Sequence, residues 1–148
     1  MLPKTVRFAL TVILVHATIT ALHAAAHVEL DVYLPFWPNV FVGVDIIILP
    51  LVASLLLGRE LYQVGGWLLF LSMAGAFIFG FYYHFWFESP DHIAHAPATV
   101  WGFIFQLTSV LLFIFEGLSA WAGWRCLAQP THRGKDNPQV SGNHTVSQ

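Results

Sequence analysis

Thiols and charges are what this sequence has least of. A single cysteine, Cys126, excludes an internal disulfide and any multi-thiolate zinc or iron–sulfur centre, since each needs two or more sulfurs. Any metal must therefore be held by nitrogen and oxygen. Only 9% of the 148 residues are charged, and the six Lys and Arg leave a formal net charge of −2. No basic stripe exists to neutralise phosphates, so nucleic-acid binding is excluded. The sequence also has no G-x-S-x-G elbow, phosphate-cradling glycine loop or dinucleotide fingerprint, which leaves metal-centred chemistry as the main catalytic possibility.

What is present is apolar. At 57% hydrophobic the chain is too apolar for an ordinary soluble domain, and too short for more than one domain. Four apolar segments run at about residues 6–28, 40–57, 66–87 and 100–124, each within the ~17–25 residues of a membrane-crossing helix, and the first is long enough at ~1.5 Å per residue to cross a ~30 Å hydrocarbon core. They predict an all-α integral membrane protein, a four-transmembrane-helix bundle over residues 1–127. Residues 128–148, polar and rich in Pro, Gly, Ser and Asn, are predicted to be a disordered tail. Pro50 is expected to kink the second span or free local carbonyls.

Lys4, Arg7, Arg59, Arg125, Arg133 and Lys135 all fall on one side of this topology, which predicts cytoplasmic N and C termini in a plasma or inner membrane. Aromatics mark both boundaries, with Tyr33, Trp37, Tyr82 and Trp86 on the outer side and Tyr62, Trp67, Trp121 and Trp124 on the inner. The lipid bilayer is the predicted partner, and so small a bundle is expected to self-associate or join a larger membrane complex. A competing reading makes the first segment a cleaved signal peptide ending at Ala24-Ala25-Ala26, with His27 as a copper-chelating N-terminus. Its apolar core is longer than the usual ~7–15 residues and is interrupted by His16 and threonines, so the expectation is a retained span. Asn143-His144-Thr145 matches a glycosylation acceptor, but lies in the predicted cytoplasmic tail.

The chemistry-bearing residues cluster. The stretch from His84 to His95, HFWFESPDHIAH, holds three histidines with Glu88, Ser89 and Asp91 between two apolar segments. On the first span His16, Thr20, His23 and His27 are spaced 4, 3 and 4, which puts them on one helical face. Imidazoles there are expected to turn to the bundle interior. On the third span the small residues Ala76 and Gly80 lead at i, i+4 spacing to His84, so that another helix can approach. Helical rise places His23 and His84 at similar depths, able to meet across the bundle. His23 with His27, and His84 with Glu88, each stand one turn apart, a spacing that can bind one divalent ion.

The predicted metal ligands are His23, His27, His84, Glu88, His92, His95 and Asp45, with Glu88 and Asp91 as catalytic acid/base groups. Imidazole with carboxylate suits zinc, iron, copper or manganese, and the lack of thiolates argues against a copper(I) carrier. The fourth span carries a second stripe, Gly102, Gln106, Ser109, Phe113, Glu116 and Ala120, expected to face the bundle. Gln106 would order a ligand from behind. Glu116 would be hydrogen-bonded to Ser72 or Ser119, or take part in a proton or ion path with His16 and Asp45.

The leading expectation is a metal site on the non-cytoplasmic side, used for chemistry on a hydrophobic or lipid-linked substrate. As an enzyme it would be a metal-dependent membrane hydrolase or oxidoreductase. The alternatives are a haem b or quinone-linked electron-transfer subunit with His16, His23 and His84 as cofactor ligands, a metal or proton permease component, and a structural subunit of a membrane complex.

Overall fold

In a computed structural model, residues 1–130 are described, and the residues beyond Pro130, most of the predicted disordered tail, lie outside that range. The described residues form helices and no strand, and four helices are long and apolar enough to cross a membrane. We number them α1 (Lys4–Glu29), α2 (Phe36–Gly58), α3 (Tyr62–Trp86) and α4 (Val100–Cys126). A single 3-10 turn, Ile93–His95, interrupts the loop between α3 and α4. Both termini of the bundle lie at one end, and the α1–α2 and α3–α4 loops lie at the other, the distal end.

Packing is uneven around the bundle. α4 packs along both α1 and α3, α2 leans on α3, and α1 and α2 touch only sparsely. The tightest seam is α3 against α4. A Cβ built on Gly123 would stand 2.7 Å from the Phe70 nitrogen, and one on Gly66 would stand 3.0 Å from the Gly123 carbonyl. Small residues here let two backbones approach closely, the means by which helices associate where lipid supplies no hydrophobic contrast. Near the termini the interior is apolar, with Val6, Ala9, Leu57, Leu69, Ala122 and Cys126 fully buried.

Two of the four helices change winding as they near the distal end. Pro50 has no N–H to offer the preceding turn. Residues Val42–Ile48 before it are wound as a wider π-helix, and α-helix resumes from Leu49 to Gly58. The expected disturbance at Pro50 is therefore absorbed by a π segment. In α3 the last turn, Tyr82–Trp86, is also π-helical and carries His84. The helix stops there, with Phe87 already extended, so the anticipated one-turn pairing of His84 with Glu88 has no helix to stand on.

α4 turns most of the expected stripe inward: Gly102, Ser109 and Glu116 are buried, together with Phe105, Thr108, Leu112 and Ser119, and Phe113 and Ala120 are half-buried. Gln106 is the exception, exposed and donating to the Ile93 carbonyl at 2.9 Å. Gln106 thus anchors the 3-10 turn and does not reach the interior. Thr99 caps the helix by accepting from the Gly102 N–H at 3.1 Å. Gly102 is required there, because any Cβ would run into the Pro97 carbonyl.

Candidate metal centre

At the distal end the imidazoles of His23, His27 and His84 meet around Phe105. The His23 ring lies 4.7 Å from that of His27 and 5.0 Å from that of His84, centroid to centroid, and His27 and His84 are 6.5 Å apart. Phe105, 1% exposed, stacks on His23 at 5.1 Å and meets the other two rings edge-on. His23 and His84 do lie at one depth, as the helical rise required, and both are buried.

Each ring is oriented by a partner on its Nδ1. The end of α1 is a Schellman turn. Asp31 takes a left-handed φ of 53°, the Val32 N–H bonds the His27 carbonyl at 3.1 Å, and the Asp31 N–H bonds the Val28 carbonyl at 3.3 Å. That turn folds the chain back so that the Val32 carbonyl accepts from His27 Nδ1 at 2.9 Å. His84 Nδ1 donates to the Asp91 carbonyl at 3.0 Å. His23 Nδ1 lies 2.8 Å from the Thr108 hydroxyl, whose proton is engaged by the Ile104 carbonyl at 2.7 Å, so the imidazole is the donor. With all three Nδ1 atoms protonated, all three Nε2 atoms carry lone pairs.

Asp91 completes the group from the α3–α4 loop. Its Oδ1 lies 3.2 Å from His27 Nε2 and its Oδ2 lies 3.5 Å from His84 Nδ1, and the residue is 2% exposed. Oδ1 has no hydrogen-bond partner. Burial pushes the Asp91 carboxyl up to about 7, because an unpaired anion is costly away from water. Meanwhile His27 Nε2 and His23 Nε2 stand 3.1 Å apart. Two imidazole nitrogens and a carboxyl oxygen face one another at contact distance, an arrangement that a shared proton or a metal ion would satisfy. Among the described residues, however, no group of three or more His, Cys, Asp or Glu side chains is arranged to hold a metal ion as the rings stand.

The other candidate ligands lie elsewhere. Glu88 and His95 pair at 3.2 Å on the surface, with side chains 78% and 49% exposed. His95 Nδ1 also donates to the Ser89 carbonyl at 2.8 Å, and His92 Nδ1 accepts from the Ala94 N–H at 3.1 Å. These contacts shape the loop that presents Asp91. Asp45, on the π segment of α2, turns towards Gly75 of α3 and not into the histidine cluster. A Cβ on Gly75 would stand 2.9 Å from Asp45 Oδ2, which has no partner. Phe105 and Thr108 were not singled out by the sequence pattern. Only their i, i+3 spacing on α4, in register with Glu116, would have indicated them.

A cavity of about 240 Å³ runs inward from His23, His27, His84 and Asp91. Its walls are mostly apolar, and its floor holds Glu116, which is 2% exposed and has an unpartnered Oε2. Gly80 makes the room, since a Cβ there would stand 3.2 Å from that oxygen. The carboxyl's other oxygen, Oε1, faces His16 Nε2 at 3.9 Å. Ser72 bonds the Leu69 carbonyl instead, and the Ser119 hydroxyl has no partner. Comparison of the chain with known protein families, characterised proteins and solved structures finds no match.

Proposed function

We propose that this is a small multi-pass membrane protein in which His23, His27, His84 and Asp91 bind one divalent transition metal used in chemistry on a hydrophobic or lipid-linked substrate. The observation that carries the reading is the convergence of lone pairs at the distal end. Ligands about 2.0–2.1 Å from a tetrahedral ion stand about 3.3 Å from one another. The His23–His27 and His27–Asp91 contacts, at 3.1 and 3.2 Å, are close to that edge length. Closing the site takes a rotation of the His84 ring towards the other three groups. The Thr108 and Val32 contacts on the Nδ1 atoms of His23 and His27 are the kind of outer partner that fixes the tautomer of a metal-bound histidine, whereas the rotated His84 ring gives up its contact with the Asp91 carbonyl.

Three imidazoles and a carboxylate suit zinc, iron, copper or manganese. Zinc would be closed at four ligands. A metal that takes five or six would keep positions free towards the cavity, where substrate oxygen or water could bind. Placing Lys and Arg on the cytoplasmic side puts the centre on the opposite side of the membrane. Haem suits this geometry less well. A porphyrin between His23 and His84 would have to separate rings 5.0 Å apart and displace Phe105, which touches both.

Elemental analysis with a visible spectrum, on untagged protein purified in detergent, tests the proposal. One equivalent of metal is expected without a Soret band, and the double variant His23→Ala, His84→Ala is expected to lose it while remaining helical. Metal retained in full by the double variant would sink the proposal, and a Soret band with iron would replace it by the haem reading.

A further inference from the structure

The sparse contact between α1 and α2 opens a second cavity of about 150 Å³, lined by Ile13, Ala17, Ala21, Pro50 and Leu51 among others. It shares Thr20, Ala24, Ile46 and Ile47 with the histidine-lined chamber, so the two are neighbours along one seam. From His27 down to Ile13 the seam covers 14 residues of α1, about 21 Å at helical rise. On the α1 side the inner part is lined by Ala17, Ala21 and Ala24, whose methyl groups leave the space between the helices unfilled. A 150 Å³ apolar cavity is large enough for a molecule of about six carbons. The trench therefore has an apolar inner run and a polar outer end.

The polar end selects for a particular kind of head group. The oxygens facing the chamber's inner part are those of Thr20, Ser109 and Glu116. Thr20 donates its hydroxyl proton to the His16 carbonyl at 2.9 Å, and Ser109 donates to the Phe105 carbonyl at 2.8 Å. Only their lone pairs remain. Glu116 Oε1 faces His16 Nε2 at 3.9 Å, and neither that nitrogen nor Glu116 Oε2 has a hydrogen-bond partner. As a carboxylate beside an imidazolium, Glu116 presents Oε2 as an acceptor. It is buried and unpartnered, so a ligand O–H or N–H would satisfy it.

We infer that the substrate is a single-chain amphiphile, an aliphatic or isoprenoid alcohol or amine. Its head donates to Glu116 Oε2 below the histidine cluster, and its chain lies in the α1–α2 trench. This rests on the proposed metal centre for the chemistry at the head group, but not for the binding itself.

The test uses a 12-carbon alcohol with a terminal diazirine, on metal-loaded full-length protein in phosphatidylcholine nanodiscs. Irradiation is expected to label α1 around Ile13–Ala21 and α2 around Pro50 and Leu51. Unlabelled 1-dodecanol should displace that label about tenfold better than dodecyl methyl ether, which has no proton to donate. Ala21→Trp, which fills the trench, should abolish labelling while metal content is kept. Leu51→Trp fills it from α2, should the first variant fold poorly. Glu116→Leu should keep the label and lose the preference for the alcohol.

Label spread evenly over lipid-facing side chains such as Leu14 and Leu118, or equal displacement by the ether, would overturn the inference. Labelling lost with metal retained in the wild-type protein would refute this inference alone. Labelling retained in a protein that binds no metal would refute the metal centre and leave this inference standing.

Discussion

Asp91→Asn should make the metal-free protein more stable and the metal-loaded protein less so. In the folded state the Asp91 carboxyl is raised by burial from 3.8 to about 7. Folded protein therefore holds this proton more tightly than the unfolded chain does. Below about pH 4 the group is protonated in both states and contributes no pH dependence. Between about 4 and 7 the unfolded chain has released the proton and the folded one has not, so stability falls as pH rises through that window. Above about 7 the loss is complete.

About three units at about 1.4 kcal/mol each give a loss of about 4 kcal/mol across the window. Asn does not titrate. The difference in thermal midpoint between Asp91→Asn and wild type should therefore grow by roughly 8 to 16 °C from pH 4 to pH 8, at about 2–4 °C per kcal/mol. Six tryptophans make intrinsic fluorescence a suitable readout on chelator-stripped protein. Taking the difference between the two proteins cancels the titration of the histidines they share. Metal at a thousandfold excess over its dissociation constant adds about 4 kcal/mol to the protein that binds it. With metal at pH 8 the wild-type protein should recover that much and the variant much less. A difference that stays flat from pH 4 to 8, or shrinks, would refute the reasoning.

Thr108→Val keeps the shape but removes the acceptor for His23 Nδ1, and is expected to weaken metal binding about 10- to 100-fold in a competition titration. Glu88→Ala and His95→Ala break a surface pair and should leave metal affinity within about twofold in the same titration. Gly123→Ala would force a Cβ against the Phe70 backbone where α3 and α4 meet, and should cost about 1–3 kcal/mol, read as a lower thermal midpoint at unchanged metal affinity.

The sequence makes some parts of this arrangement easy to see. The 4-3-4 spacing of His16, Thr20, His23 and His27 needs only a regular helix, and α1 is one from Lys4 to Glu29. The four long apolar runs are likewise a direct consequence of composition. The positions that resisted reading lie where the winding changes. Counting 3.6 residues per turn past Tyr82 put Glu88 beside His84, but α3 ends in a π turn and the chain leaves it extended. Asp91 joins the histidines only because the loop folds back and offers its carbonyl to His84, a contact no periodicity encodes.

On α4 the difficulty is of another kind. Both faces of a membrane helix are apolar, so hydrophobic contrast does not fix its rotation, and polar residues alone set the phase. The stripe therefore holds at Gly102, Ser109 and Glu116 but not at Gln106, which serves the α3–α4 loop, and Phe105 and Thr108, which carry no stronger polar signal, complete the buried face.

The most direct test of the central claim is X-ray absorption at the metal edge, on protein reconstituted with one equivalent of zinc. The account predicts a first shell of four nitrogen and oxygen atoms at about 2.0–2.2 Å, with the outer-shell scattering of three imidazoles. His27→Ala should remove one of those imidazoles and Asp91→Asn should lengthen or remove one oxygen. A shell with one imidazole or none, or one left unchanged by both substitutions, would contradict it.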